Sequence, residues 1–368
     1  MININTYVKR FGNRTLDKHP FNDIDGLIFS QLSMINFETL LQDKETIALK
    51  DIVFANYRNT IYGSPDARAN GVMLKNMMKA PRYRDTKVGY IRRYFSEEVA
   101  NQFYAVTFIL PNDTFFISFR GTDITIIGWK EDLYLTFMDK IPSHDQALAY
   151  TEEVLSKLSG QFYIGGHSKG GNLAVYSALN MNPDYCDRLI HAYSYDGPGF
   201  PNGIEQYPNY KNVEKKIKKF ITHRDLIGLI FKDVPKYKIV YSNGALLGGH
   251  DPFAWRINEN TGRFVLKRQC STRSQVYALA INSWLLKMSK EDRELGTNAL
   301  IAIVGKSKNI YDLLRYMVPN LAKFNWVIRT FPKEKRKRLR ELISLFFKCL
   351  SDSRKTVNRR NRAARNLK

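Results

Sequence analysis

The segment Gly166–Gly170, with the sequence GHSKG, restricts the fold of this chain more than any other feature. It follows a short apolar run, Gln161–Gly165, and precedes an Ala- and Leu-rich run, Gly171–Asn180, which predict a strand and a helix. A sharp strand-to-helix turn brings backbone atoms together, so a serine at its apex needs small residues on both sides. The two terminal glycines meet this need, and we predict a turn that lifts the Ser168 hydroxyl above a sheet. The alternative is an ordinary glycine-rich turn, with or without a bound phosphate.

The segments around this turn alternate between strand-like and helix-like patterns. Alternation of this kind predicts an α/β fold with a mainly parallel sheet, helices on both faces, and helical additions at both ends of the chain. The first two predicted strands form a hairpin, because only Pro111-Asn112-Asp113 separates them. The other predicted elements are strands at His191–Tyr195, Ile217–Thr222 and Ile239–Ser242 and a helix at Asp145–Leu158, and the hairpin strands are Phe103–Leu110 and Thr114–Phe119.

A serine nucleophile needs a base, and the base needs an acid that orients it. His250 lies in a loop after the last predicted strand and is the predicted base. Asp225, just beyond the strand Ile217–Thr222, is the predicted acid, and Asp196, which ends the preceding strand, is its rival. His223 stands two residues before Asp225, so we expect it in a neighbouring part of the same loop.

The tetrahedral intermediate of acyl transfer also needs donors for its oxyanion. The backbone N–H of Lys169, at the start of the predicted helix, is one candidate. Thr122 ends the second hairpin strand and offers both an N–H and a hydroxyl, whose rotamer Asp132 is expected to fix. The alternative is an ordinary turn at the end of a strand. His167, beside the serine, is expected to point away from the substrate.

Together these motifs resemble those of class 3 (fungal-type) triacylglycerol lipases, over roughly residues 100–255. The run Phe119–Thr122, followed by Trp129 and Asp132, resembles their oxyanion loop and lid hinge. The segment GHSKGG resembles their nucleophile elbow. Phe220–Asp225 resembles the strand that leads to the catalytic aspartate, and His250–Trp255 resembles the histidine loop.

In its details the chain resembles an uncharacterised bacterial branch of lipase-like proteins more than those lipases, through the elbow GHSKGGN and the segment Pro20–Gly26. It implies an α/β-hydrolase fold and a serine esterase or lipase with the triad Ser168, Asp225 and His250. Two features depart from the lipases. Lys169 occupies a position that is usually apolar, and no secretory signal is visible at the N-terminus.

The predicted reaction is hydrolysis of a carboxylic ester, in a lipid or a small ester, through an acyl-enzyme on Ser168. No cofactor or metal is predicted. A thioesterase or acyltransferase would use the same triad, so the sequence leaves these open. A third alternative is a lipase-like scaffold that binds a membrane or a partner without hydrolysing an ester.

Three cysteines, without a CxxC pair, make a disulfide framework or a zinc site improbable and favour a reducing compartment. No apolar run approaches the ~18 residues of a membrane span. We therefore predict a cytoplasmic protein, peripheral at a membrane if bound to one.

Half of the net charge of +22 lies in residues 333–368, with fourteen Lys or Arg and three Asp or Glu. Leu339, Leu342, Phe346 and Leu350 recur at helical spacing, which predicts a basic amphipathic helix suited to an anionic membrane surface. Packing of this stripe on the protein, with a solvated tail beyond it, is the alternative. Nucleic acid is a poorer partner, because no aromatic residue follows Leu350.

The same patterns suggest four regions. These are an N-terminal helical region at 1–99, a hydrolase core at 100–271, a helical C-terminal subdomain at 272–350 and a disordered basic tail at 351–368.

Overall fold

A nine-stranded sheet runs through the described part of the chain, and its strands are ordered in space as they are in sequence. The computed structural model describes residues 1–41, 44–53, 66–98, 101–122, 126–135, 138–231, 236–244, 247–304 and 328–366. The strands are β1 (Thr46–Ala48), β2 (Lys87–Ser96), β3 (Asn101–Ile109), β4 (Phe115–Phe119), β5 (Phe162–His167), β6 (Leu189–Tyr195), β7 (Ile217–Thr222), β8 (Tyr237–Val240) and β9 (Leu266–Lys267).

The sheet is mixed. Strands β4 to β8 pair in parallel, whereas β1 to β4 and the pair β8–β9 are antiparallel. The predicted hairpin is confirmed, with Ala105 opposite Phe119. The α/β fold is therefore confirmed. Parallel pairing is confined to its centre, from β4 to β8, whereas the sequence predicts a mainly parallel sheet.

Helices join and cover the strands. Those with described bounds are α1 (Ile4–Phe11), α2 (Asp23–Leu32), α3 (Glu38–Leu41), α4 (Ala67–Met77), α5 (Ile126–Tyr134), α6 (Pro142–Lys157), α7 (Lys169–Asn180), α8 (Tyr210–Val213), α9 (Leu247–His250), α10 (Thr272–Lys287), α11 (Lys290–Val304) and α12 (Lys333–Asn366). Short 3-10 turns occur at Leu49–Asp51, Pro183–Tyr185, Glu214–Lys216, Ile227–Leu229 and Pro252–Ala254.

Apolar residues on both faces of the sheet explain why helices lie on both sides. Phe116 belongs to a core that includes α1, α2 and α4. Its neighbours Phe115 and Ile117 point the other way, into a core with α6 and α7. Burial of strands on both faces is typical of α/β proteins and leaves the strand ends free to carry a site.

Two segments differ from the sequence-based expectation. The region 1–99 is helical only in part, because Lys87–Ser96 forms a ten-residue strand that pairs with β3. The region from 351 continues α12 as helix to Asn366 instead of becoming disordered. Val357, only 1% exposed, packs with Val276 and Ala280 of α10, and this contact gives the helix a reason to continue.

The apolar stripe of α12 packs on protein. Leu339, Leu342 and Leu350 are buried, whereas Phe347 is 62% exposed. Arg338 pairs with Asp292 at 2.6 Å and fastens α12 to α11.

The three cysteines are free and buried. Cys186 lies in the core beside α7, Cys270 precedes α10, and Cys349 lies in α12.

Candidate active site

The serine lies at the turn between β5 and α7, as predicted. Its backbone has φ 56° and ψ −129°, a strained conformation for a residue with a side chain. A Cβ on Gly166 would lie 2.3 Å from the carbonyl carbon of Gly170, and one on Gly170 would lie 2.2 Å from the carbonyl oxygen of Phe119. Both positions therefore require glycine, and the turn has the geometry of a nucleophile elbow.

His250 is held by two carboxylates. Its Nδ1 lies 3.0 Å from Asp196 Oδ2 and 3.1 Å from Asp225 Oδ2, and both acids are almost completely buried. Asp196 ends β6 and Asp225 follows β7, so the carboxyl ends of adjacent parallel strands bring them together. The sequence predicts one acid, Asp225 with Asp196 as its rival, whereas both carboxylates contact the histidine.

The charges of Asp196, Asp225 and His250 influence one another's pKa values. Burial and the charge of Asp225 raise the pKa of Asp196 to about 7. Burial also acts to raise the pKa of Asp225, but the attraction of His250 outweighs it, so the net shift is downward. Burial acts to lower the pKa of His250, and the two carboxylates overcome it and raise that pKa to about 10. The negative charge is therefore more stable on Asp225 than on Asp196.

The second ring nitrogen of this histidine, Nε2, is not bound to either acid. Within the described residues, Nε2 of His250 forms no hydrogen bond, and none joins Ser168 Oγ to His250. Neighbouring contacts nevertheless bring the two segments together. His167 Nε2 lies 2.9 Å from the His250 carbonyl oxygen, and the two rings are 4.4 Å apart.

His167 therefore supports the His250 loop, a role that its position in the sequence does not indicate. Burial lowers its pKa well below the ordinary histidine value, so the ring stays neutral and Nε2–H donates to the carbonyl of the His250 loop. His223 lies apart from this cluster. Its Nδ1 accepts from the Ser242 N–H at 3.2 Å, in agreement with its expected position.

The predicted oxyanion loop lies against the serine. A Cβ on Gly121 would be 3.4 Å from Ser168 Cβ. The Thr122 hydroxyl donates to Asp132, with both carboxylate oxygens 2.6 Å away, so Asp132 fixes its rotamer. Burial raises the pKa of Asp132 to about 6. No acceptor among the described residues takes the backbone N–H of Thr122 or Lys169, which leaves both N–H groups available.

The Lys169 side chain forms a buried ion pair with Glu131 of α5. Its Nζ lies 2.6 Å from Glu131 Oε2 and 2.7 Å from the Gln102 carbonyl oxygen, and both side chains of the ion pair are at most 1% exposed. Glu131 also accepts from the backbone N–H of Ser143 at 3.2 Å. The charge of Lys169 is therefore neutralised in a buried ion pair.

Two further polar residues hold the loops around the serine. Asn172, the last residue of GHSKGGN, donates from Nδ2 to the Pro198 carbonyl at 3.1 Å and so supports the loop after Asp196. Arg120 Nη2 donates to the Ile35 carbonyl at 3.1 Å and ties the oxyanion loop to the segment after α2. The side chain of Trp129 lies outside the described residues.

Asp196, Asp225 and His250 also form the only group of metal-ligand type in the described part of the chain, with ligand atoms within 4.8 Å of one another. Their spacing around Nδ1 is that of hydrogen bonds, so this nitrogen is committed to the acids. The arrangement is suited to orienting an imidazole.

The Mbeg1-like family model matches residues 77–302, which is more than half of the chain. The chain belongs to the Mbeg1-like family. The match spans the elbow, both acids, His250 and the oxyanion loop, so all the candidate site residues of this Mbeg1-like protein lie within the family region.

Among solved structures, the crystal structure of M37 lipase is similar to this Mbeg1-like chain, with 14% identity and a TM-score of 0.38. The alignment covers 57% of this chain and 70% of that chain. No curated protein matches this Mbeg1-like chain.

Proposed function

We propose that this protein is a serine hydrolase that cleaves carboxylic esters, in lipids or small esters, through an acyl-enzyme on Ser168. One observation carries the proposal: the strained, elbow-type Ser168 directly follows His167, whose ring lies 4.4 Å from that of His250, and two buried carboxylates at adjacent strand ends orient His250. Strain of this kind at a non-glycine residue is characteristic of functional sites.

The roles follow from which atoms are free. Ser168 Oγ attacks the ester carbonyl and gives its proton to Nε2 of His250, because Nδ1 is already bound to the acids. His250 then protonates the leaving alcohol. In the second half-reaction His250 takes a proton from water, which attacks the acyl-enzyme. His250 then returns the proton to the serine oxygen, so the carboxylic acid is released and Ser168 is regenerated.

The oxyanion donors in this proposal are the backbone N–H groups of Lys169 and Thr122. The Thr122 hydroxyl hydrogen is used by Asp132, so the hydroxyl aligns the loop instead of donating to the substrate. Loss of one oxyanion donor typically costs about 10²–10³ in rate.

The test is turnover and covalent labelling of the full-length protein. We expect wild type to hydrolyse p-nitrophenyl esters and to react with a fluorophosphonate, and Ser168→Ala to lose both activities. Ser177→Ala is a matched control, because Ser177 is buried in α7 away from the turn. Absence of labelling in a folded wild type would contradict the proposal.

That negative outcome would instead favour the non-hydrolytic scaffold, which one observation supports. Ser168 Oγ and His250 form no hydrogen bond within the described residues. In free enzymes such bonds are often long and shorten only with substrate bound, so the labelling result decides between the two functions.

We also propose that α12 brings the protein to an anionic membrane surface. The helix carries exposed Lys335, Lys337 and Arg340 near its start and exposed Phe347 further along. No helix in the described ranges is long and apolar enough to cross a bilayer. Contact through cations and an aromatic ring suits a protein that lies on a surface.

A further inference from the structure

A cavity of about 640 Å³ lies away from the serine. It is bounded by α1, the segment before α2, the strands β7 and β8, and the residues before β9. Ser168, Asp196, Asp225 and His250 do not line it. Its volume lies in the range of small-ligand sites, roughly 300–1,000 Å³.

The wall of this cavity has an excess of positive charge. Five of its eighteen lining residues are Lys or Arg, and Asp23 is the single carboxylate among them. Asp23 lies 3.0 Å from Lys218 and 3.2 Å from Lys238, so one negative charge is shared by two cations.

The remaining cations of the wall differ in whether other groups of the protein already bind them. Arg82 is buried and fully used, because it pairs with Asp25 and donates to the carbonyls of Arg14 and His19. Arg14 and Arg263 are exposed, and neither has a carboxylate partner within the described residues. The guanidinium groups of these two arginines therefore lack a carboxylate partner among the described residues. The two lysines share the one carboxylate of Asp23, so they add one further positive charge to the wall.

The rest of the wall is aromatic. Phe21 and Phe264 are partly exposed there, beside the buried rings of Tyr7, Phe11 and Phe220. Arg14 lies over the Phe11 ring at 4.5 Å, so a cation borders the aromatic surface directly. A ligand that contacts both the cationic and the aromatic part of the wall needs an anionic group and a flat or apolar body.

We propose that this cavity binds a phosphate monoester with an apolar or aromatic body. A phosphate monoester carries about −1.5 to −2 charges near neutral pH and three acceptor oxygens, which suit a wall that contains two guanidinium groups. Its organic part packs on the rings of Phe21 and Phe264. Two sources share this chemistry, a nucleoside monophosphate and a lysophospholipid with a terminal phosphate.

Isothermal titration of the full-length protein tests the proposal with four probes. These are AMP, a short-chain lysophosphatidic acid below its critical micelle concentration, inorganic phosphate and adenosine. We expect one of the first two to bind about ten-fold or more tighter than inorganic phosphate or adenosine, because only it uses both parts of the wall. Which of the two binds identifies the source of the ligand.

Charge variants locate the site. Arg14→Gln/Arg263→Gln should weaken binding about ten-fold or more, since each arginine supplies charge-assisted hydrogen bonds. Lys9→Gln/Lys79→Gln is the matched control, because it removes two exposed cations outside the cavity and should leave affinity unchanged. Ser168→Ala should also bind normally, which separates this proposal from the hydrolase function. No binding at millimolar concentration, equal binding of inorganic phosphate, or full affinity in the arginine variant would overturn it.

Discussion

At the scale of single residues, the unusual feature is one imidazole nitrogen shared by two buried acids. Asp196 and Asp225 lie at nearly equal distances from His250 Nδ1. A second carboxylate strengthens the hold on the ring, but it also stabilises the protonated imidazole, which is unable to accept a proton from Ser168. The second carboxylate therefore improves the orientation of the imidazole but reduces its ability to take the proton of Ser168.

This opposition predicts the pH dependence. The pKa of His250 is raised to about 10 by two carboxylates, so kcat/KM of wild type should rise as pH increases and the cluster loses its proton. Asp196→Asn removes one carboxylate and lowers that pKa. The rising limb should then move to lower pH by about 1–3 units, the effect typical of one nearby charge. A pH profile of ester hydrolysis measures it, and superimposable profiles would contradict it.

Single and double variants give the control. Because either acid alone still contacts Nδ1, each single Asn variant should retain more activity than Asp196→Asn/Asp225→Asn. Loss of all carboxylate support typically costs about 10⁴ in kcat. If Asp225→Asn alone were as impaired as the double variant, Asp196 would contribute nothing to orientation.

How far single residues are predictable from sequence depends on whether their partners are local. The elbow is encoded within five consecutive residues, so Ser168 and its glycines are evident. Asp225 and Asp196 both follow strands, and only the register of β6 beside β7 brings them to one nitrogen. Glu131 has no local signal, because its partner Lys169 is 38 residues away and joins it only after folding.

At the scale of elements, helix α5 connects the two sides of the candidate oxyanion hole. Glu131 binds the elbow through Lys169, and the next residue, Asp132, binds Thr122 of the oxyanion loop. Adjacent residues of one helix thus hold both donor segments. A shift of α5 would move the two segments together.

The buried pair in this connection has a large expected effect on stability. Lys169→Met leaves the buried Glu131 without its cationic partner, which should lower the free energy of unfolding by about 3–5 kcal/mol. Lys169→Met/Glu131→Gln should recover much of this loss, because no buried charge remains. Urea unfolding measures both variants.

A surface pair provides the comparison. Lys157 and Glu153 are 2.7 Å apart in α6 but substantially exposed, so Lys157→Met should change stability by at most about 0.5 kcal/mol. Equal losses at the buried and exposed pairs would show that the burial of Lys169 carries no special cost.

At the scale of the whole molecule, the basic C-terminal segment is part of the folded structure. Its apolar stripe covers α10 and α11, and Trp284 Nε1 donates to the Leu342 carbonyl at 2.8 Å. We propose that the helical subdomain, predicted to end at 350, extends to 366. Amphipathic periodicity predicts such a helix, but it leaves open whether protein or lipid covers the apolar face.

The apolar face of α12 is already covered, so deleting 333–368 would expose the apolar surfaces of α10 and α11. A loss of liposome binding could then result from misfolding as well as from the loss of the contact. The cleaner variant is Lys335→Gln/Lys337→Gln/Arg340→Gln, which keeps the helix. Each cation contributes about 1 kcal/mol near an anionic surface, so sedimentation with anionic liposomes at low salt should weaken roughly 100-fold. Binding to zwitterionic liposomes should be weak for both proteins. Unchanged binding to the anionic liposomes would exclude α12 as the contact.

The three free cysteines have a practical consequence for such measurements. Each lies in a different part of the fold, and each is at most 6% exposed. A thiol reagent therefore reaches Cys349 only when α12 separates from its neighbours, and Cys186 only when the core beside α7 opens. The order in which the native thiols become reactive would show, without any added label, which part of the molecule loosens first.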